Sequence, residues 1–389
     1  MKVLGVVAEY DPFHLGHQTM LKEAKQTAGT DAAVVVAMSG SFTQRGGAAI
    51  CPPAARAEMA LRGGADLVLE IPVQFSTAAA ETFARGGVGV LTATGIVDTL
   101  CFGSESGDLN QMRRMAEVID TPEFRTALRG ELAKGLPFAA ARQKALEEVL
   151  QGEIQLTGGA NDLLGTEYLR CLPECIDVLP IQRRDDGHGG AQSATRVRQL
   201  LRQGDWDGAA QLLPETTVEI LRREQAKGCC PGDLAWAERA IFYRLRQMSA
   251  EEISAIPDCK EGLENRILQA AAESGTLADF YDAIKSKRYA HARIRRIVLR
   301  AFLGIYTLPE QPAYLGVLGA NEKGLALLRQ MKKTARVPVV TKPAHGKKLT
   351  GEALEQYLCS RAADDLWGLC VEQIRPAGEC WQNTPVLLR

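Results

Sequence analysis

No apolar run in this 389-residue chain approaches the ~18 residues that cross a bilayer as a helix, so no membrane span is expected. Neither charge is in excess: 46 Lys and Arg stand against 47 Asp and Glu, a net charge of -1. A near-neutral chain has no global field for nucleic acid, so any such contact must come from a local patch. The ten cysteines contain no CxxC pair and no Cys/His grouping at zinc spacing. Cys171 and Cys175, four apart, suit one face of a helix. The set reads as reduced, mostly buried small apolar residues. The first residues, MKVLGVVAEYDPFHLGH, hold one Lys and a short apolar run, then reach Glu9 and Asp11 without a small-residue cleavage site. No signal peptide is read there, and a cytoplasmic location is expected. No GxxxxGKS/T occurs, which excludes a P-loop, and no GxGxxG follows the first apolar run, which argues against a dinucleotide site. The HxE…PCxxC pattern of zinc deaminases and the GxSxG nucleophile elbow are also missing. There is no internal repeat, low-complexity segment or long linker.

What is present is ordinary for a folded protein: 46% hydrophobic and 24% charged residues. The length suggests two to three domains at roughly 100–200 residues each. In the first half, short apolar runs alternate with helical patterns. Strands are predicted at 4–10, 32–38, 66–71 and 97–103. Helices are predicted at 18–29, 55–64 and 77–95, the last with a glycine-rich middle. Strand and helix alternating at this spacing implies right-handed βαβ units and a parallel sheet. Residues 108–150 are charged and helical in pattern. TGGANDLLG (157–165) reads as a turn-rich break before a helix at TEYLRCL. A further strand is predicted at 176–183, then a glycine-rich loop at 185–195 and a helix from 196. From about 205 helical periodicity dominates, with strand signals only at 313–319 and 337–342. The expected fold is α/β, a Rossmann-like parallel sheet in residues 1–204, followed by a mostly helical domain in 205–389.

The strongest chemical signal is Tyr10-Asp11-Pro12-Phe13-His14-Leu15-Gly16-His17, between the first strand and the first helix. A helix N-terminus carries unpaired N–H groups and partial positive charge, which suits phosphate. Histidines at i and i+3 add donors, Gly16 permits close backbone approach, and Pro12 stiffens the turn. The chemistry that fits is nucleotidyl transfer, in which positioning and charge stabilisation do the catalysis. The competing readings are a helix cap and a zinc site, although no third His or Cys lies nearby in sequence. A second signal, Ser193-Ala194-Thr195-Arg196-Val197-Arg198, also opens a helix after a glycine-rich loop. Ser193 or Thr195 suits a cap there, and Arg198 suits bidentate contact with a triphosphate. Gly103 is placed at the carboxyl edge of a parallel sheet, where such folds bind ligands. Asn161 suits an adenine edge or ribose, or else a turn.

Together these two segments resemble the HxGH and ISSTxxR signatures of the nucleotidylyltransferase superfamily. The segments MSGSFTQRGGAAI (38–50), GADLVLEIPVQFSTAAAETFARGGV (64–88), FGSES (102–106), ANDLLGTEY (160–168) and PAYLGVLGANEKG (312–324) narrow the match. Over essentially its whole length the chain is similar to one bacterial family, the tRNA(Met) cytidine acetate ligases. The resemblance implies an enzyme, a ligase forming a C–N bond. It implies that ATP and acetate form acetyl-adenylate, which then acetylates N4 of the wobble cytidine of elongator tRNA(Met). It implies His14 and His17 as catalytic residues. ATP contacts are implied at Val7, Ala8, Glu9, Tyr10, Asp11, Pro12, Phe13, His14, Leu15, Gly16 and His17. They are also implied at Gly103, Asn161 and Arg183 (Arg184 is adjacent), with Ser193, Thr195 and Arg198 on the departing phosphates. Magnesium is a possible assistant, but no carboxylate cluster demands it and no resident metal is expected. The family more often has Asn at the position of Asp11, and a carboxylate beside a triphosphate must turn away or help hold a cation. For the RNA, the run KSKRYAHARIRRIVLR (285–300) carries seven Lys or Arg and no acid. It nominates Lys285, Lys287, Arg288, Arg293, Arg295 and Arg296, with a weaker basic cluster at Lys342, Lys347 and Lys348. The alternatives are another nucleotidyl transferase acting on a small carboxylate or nucleotide, and a non-catalytic RNA-binding protein.

Overall fold

The structure, a computed structural model, describes residues 1–151, 159–182, 194–260, 262–286, 289–382 and 384–388. Its strands are β1 (Val3–Ala8), β2 (Ala33–Ser39), β3 (Phe42–Thr43), β4 (Gly47–Ala48), β5 (Leu67–Ile71), β6 (Thr99–Ser104), β7 (Asp177–Gln182), β8 (Leu315–Ala320), β9 (Val339–Val340) and β10 (Val386–Leu387). Seven of its helices bear on the site: α1 (Leu15–Ala28), α2 (Pro53–Arg62), α3 (Ala80–Ala93), α4 (Ala160–Cys171), α5 (Ala194–Arg202), α6 (His291–Leu303) and α7 (Gly351–Trp367).

The main sheet runs β10-β8-β5-β2-β1-β6-β7, with β9 beside β8. β5, β2, β1, β6 and β7 are mutually parallel, as the alternating pattern predicts; β8 lies antiparallel to β5. Three of the eight strands come from beyond residue 205, so the sheet draws on both parts of the chain divided there. The strand order reverses at β1, with β2 on one side and β6 on the other. Connections leave β1 and β6 in opposite directions at such a switch point, which opens a crevice at their carboxyl ends.

The continuous apolar runs follow from burial on both faces. Val34, Val35 and Val36 are all fully buried. Successive side chains alternate across a strand. Val35 joins Val7, Leu69, Phe83 and Val88 on the face covered by α3. Val34 and Val36 join Leu21, Ala24 and Met59 on the face covered by α1 and α2. The glycine-rich middle of α3 has a steric cause: a Cβ at Gly87 would stand 2.4 Å from a methyl of Val7. A third core collects Ile241, Phe280, Ile294, Ile297 and Trp367 from the helical part, together with Phe42 and Ala48 of the β3–β4 hairpin. The sequence reading did not separate that hairpin from its flanks.

One expected break is corrected. The turn-rich reading of 157–165 gives way at Ala160, where α4 already begins. Asn161 and Asp162 therefore lie in its first turn. Their backbone N–H groups both donate to the carboxylate of Glu105 (3.1 and 2.9 Å). A cap supplied from 56 residues away has no local signature.

Candidate active site

Val7 and Ala8 end β1, and the chain from Glu9 to Phe13 turns into α1 at the switch point. Tyr10 takes a left-handed φ of 45° and so ends the strand earlier than its apolar pattern predicts. His14 is the N-cap of α1, and Leu15 is its first helical residue. His14 Nδ1 accepts from Gly16 N–H (3.1 Å), and His17 Nδ1 accepts from His14 N–H (3.3 Å). The two rings stack with centroids 3.7 Å apart, and His17 also meets the edge of Tyr10 at 4.8 Å. The capping alternative is thus realised here. It also fixes the tautomers: a ring nitrogen that accepts a hydrogen bond carries no proton, so each ring proton sits on Nε2.

The free N–H groups expected at this helix start are not found. Leu15 N–H donates to the carbonyl of Leu212 (3.1 Å), Gly16 N–H to His14 Nδ1, and the N–H groups of His17 and Gln18 to the carbonyl of His14. What α1 contributes to an anion is therefore its dipole and its two imidazoles, with the backbone amides already satisfied.

Asp11 is 4% exposed and turned into the protein. Its Oδ1 accepts from Ile50 N–H (2.6 Å), and its Oδ2 pairs with Arg198 Nη1 at 3.3 Å. The repulsion expected from a carboxylate at this position is met by that pairing. Arg198 Nη1 also donates to the Asp11 carbonyl (2.6 Å), and Nη2 donates to Thr195 Oγ1 (3.2 Å). The second motif thus folds back onto the first across 187 residues of sequence. Burial pushes the Glu9 carboxyl above its ordinary value, Gln44 N–H (2.6 Å) opposes that rise, and nearby Asp11 adds to it.

Gly103 lies at the carboxyl end of β6, opposite Ile181 of β7. Just beyond it, two carboxylates clasp two segments together. Glu105 accepts from Asn161 Nδ2 (2.6 Å) as well as from the start of α4. Asp162 accepts from Ser104 Oγ (2.5 Å) and from the N–H groups of Glu105 and Ser106 (3.0 Å each). The clasp sets Asn161 beside the switch point. Tyr168, about two turns further along α4, lies close enough for Glu9 to raise its hydroxyl pKa, after burial. Arg183, Arg184 and Ser193 lie outside the described residues, as do Lys287 and Arg288.

Sequence reasoning missed Arg56. It is fully buried and forms no ion pair among the described residues. Its guanidinium donates to the carbonyls of Glu9 (2.6 Å), Ser39 (2.9 Å), Cys51 (3.3 Å) and Gly40, tying the carboxyl ends of β1 and β2 together. An arginine in an Ala-rich helical segment reads as a surface cation, so nothing in its neighbours announces it. Sequence reasoning also missed the placement of the hairpin. Gln44 reaches Glu9, while Gly46, at φ 75°, packs so closely on α6 that a Cβ would lie 2.8 Å from the backbone of Arg295 and Arg296. The Arg-Gly-Gly between two short apolar runs is the turn signal that points to it.

Of the basic run, Arg295 is exposed and lies over the Tyr281 ring at 5.4 Å. Lys285 is exposed as well. Arg293 donates to the Asp258 carbonyl (2.9 Å), and fully buried Arg300 pairs with Asp258 at 2.9 Å. Arg296 is half-buried, with its pKa pushed down to about 10 by burial and by Arg300. The helix is therefore part scaffold and part exposed cationic face. Among the described residues, no helix is long and apolar enough to cross a membrane, and no group of three His, Cys, Asp or Glu is arranged to hold a metal.

A doubly wound sheet whose first strand–helix junction carries two stacked histidines, with Arg198 of the second motif paired to Asp11 in the same loop, defines a nucleotidyl transferase. The profile of the HIGH Nucleotidyl Transferase family matches residues 1–378. A protein of Fervidobacterium nodosum called tRNA(Met) cytidine acetate ligase is 36% identical over 370 residues, covering 91% of this chain and 87% of that one. One of the same name from Acetivibrio thermocellus is 36% identical over 416 residues, covering 100% of both. A crystal structure of Thermotoga maritima TmcAL bound with alpha-thio ATP superposes with a TM-score of 0.90 at 35% identity, covering 100% of each chain. The apo form of that protein gives 0.92 at 33% identity, again over 100% of each chain. The chain belongs to the tRNA(Met) cytidine acetate ligase family.

Because burial raises the Glu9 carboxyl above its ordinary value of 4.5, the folded state holds that proton more tightly than the unfolded chain. Its contribution to stability is full below pH 4.5 and declines as pH rises through the elevated value. Glu9→Gln is expected to match the parent in acid and to gain on it as pH rises. Urea unfolding between pH 4 and 7.5 checks this, and a difference independent of pH would contradict it.

Proposed function

We propose that this chain is an ATP-dependent tRNA(Met) cytidine acetate ligase. Acetate oxygen attacks the α-phosphorus of ATP, the bond to the β-phosphate breaks, and pyrophosphate leaves with the electron pair. The N4 amine of cytidine then attacks the acetyl carbonyl, loses a proton, and AMP leaves. The single observation that carries the reading is the hairpin. Its turn meets Glu9 of the loop before α1 through Gln44 and the backbone of Arg295 and Arg296 through Gly46, which supports a basic helix beside the loop that carries the two histidines.

In this reading the Nε2–H groups of His14 and His17 donate to phosphate oxygens as charge develops there, in a site whose donors are already oriented. The clasp of Glu105 and Asp162 holds Asn161 for the nucleoside, and Gly103 ends the strand beneath it. Arg183 and Ser193 remain assigned to ATP by resemblance. Magnesium would arrive with ATP. The described residues do not fit a resident ion, since Glu9 and Asp11 are occupied by Gln44 N–H, by Ile50 N–H and by Arg198. We assign the helical part of residues 205–389, with its basic helix α6, to tRNA binding, and a cytoplasmic setting accords with ten free cysteines.

The test is pyrophosphate release from ATP with and without acetate and bulk tRNA, followed by mass analysis of the tRNA nucleosides. Acetate-dependent release with an acetylated cytidine establishes the ligase. Release that ignores both acetate and RNA would assign another acceptor. For the RNA face, Arg295→Glu is expected to weaken tRNA binding and to lower the salt slope by about one unit or more, with ATP affinity unchanged. An unaltered slope would remove α6 from the interface.

A further inference from the structure

Two guanidinium groups in the site end on one neutral oxygen. Arg45 Nη1 and Arg198 Nη2 both donate to Thr195 Oγ1, at 2.9 and 3.2 Å. Arg198 has Asp11 as a partner. Arg45 is exposed at the hairpin tip and forms no ion pair among the described residues. The carboxyl that its charge does reach, Glu9, accepts from Gln44 N–H instead. Two cations converging on a hydroxyl repel each other, and an anion bridging them turns that repulsion into two charge-assisted hydrogen bonds. The hairpin is a firm mount for such a contact, since Gln44 ties it to the nucleotide loop and Gly46 seats it on α6.

We propose that Arg45 is a further substrate-binding residue: with Arg198 and Thr195 it holds the β- and γ-phosphates of ATP and the pyrophosphate as it departs. The inference rests on the adenylation reading and deepens it. As the α-phosphorus gains the acetate oxygen and loses the bridging oxygen, negative charge accumulates on pyrophosphate. A guanidinium already aimed there needs no reorganisation at that moment. The contact also explains why the hairpin lies between the nucleotide and the basic helix: its tip closes the phosphate end of the site.

The experiment measures binding of ATP, AMP and inorganic pyrophosphate to the full chain by calorimetry, in the parent, Arg45→Ala and Arg45→Lys. The alanine variant is expected to bind ATP and pyrophosphate about 10–100-fold more weakly, the loss of a charged hydrogen bond, and to bind AMP within about twofold of the parent. Lysine is expected to recover part of the loss, because it keeps the charge without the fork. Unchanged ATP affinity overturns the proposal, as does an equal loss for ATP and AMP. A loss confined to tRNA affinity overturns it too and gives Arg45 to the RNA. A parent that binds ATP and pyrophosphate but modifies no tRNA would defeat the ligase reading and leave the role of Arg45 standing.

Discussion

Replacing His14 and His17 together by alanine is expected to lower acetate-dependent pyrophosphate release by about 10³-fold or more, the loss of two oriented donors to a developing charge. The structure makes the experiment subtler than a simple deletion. His14 also caps α1, and removal of a cap costs about 1 kcal/mol in stability. The two effects separate with His14→Asn. Asparagine is among the best N-caps, so that variant is expected to unfold at nearly the parental urea concentration while losing most of the rate. If His14→Asn keeps parental turnover, the imidazole serves the helix and not the phosphate. If the double alanine variant loses activity only in proportion to lost folded protein, the catalytic assignment falls. RNA affinity, measured alongside, is expected to remain near that of the parent, because neither ring belongs to the basic helix α6.

The second large effect is expected at Arg56. Its guanidinium serves four carbonyls in a fully buried position; among the described residues no carboxylate pairs with it directly, and buried Asp364 lies within reach of its charge. Arg56→Met keeps much of the volume and removes every donor. The carbonyls of Glu9, Ser39, Gly40 and Cys51 would then be buried without their partner, and stability is expected to drop by about 3–5 kcal/mol. Urea unfolding with an unchanged slope is the appropriate readout, since a changed slope would signal a different denatured state. Arg56→Lys is expected to recover a minor part, because one ammonium cannot span four acceptors. A drop under about 1 kcal/mol would mean that water replaces the guanidinium. Because one of the four acceptors is Glu9, folded Arg56→Met protein is also expected to bind ATP less tightly.

Much of the architecture is written locally. Apolar runs at residues 4–10, 32–38, 66–71 and 97–103 became β1, β2, β5 and β6 within a few residues, because a strand buried on both faces must be apolar throughout. The HxGH segment was found at the first strand–helix junction, as its spacing implies. What failed was equally physical. The start of α4 was hidden because Glu105 caps it from a distance, and the hairpin was hidden because its strands are two residues each. The amides of α1 read as free and are instead satisfied by His14 and Leu212.

The sequence by itself determined that this is a mainly parallel α/β protein with an HxGH segment at its first strand–helix junction, a second cationic motif and a basic helix. These properties reside in periodicity, composition and short spacing, which act over a few residues. Tertiary structure alone decided which charges meet. It turned Asp11 inward onto Arg198, buried Arg56 under four carbonyls, joined β8 to the sheet from beyond residue 300, and brought Arg45 to the same hydroxyl as Arg198. Apart from Cys51, five residues from Arg56, those partners are separated by tens to hundreds of residues. Only the closing of the sheet around its switch point places them within hydrogen-bond distance.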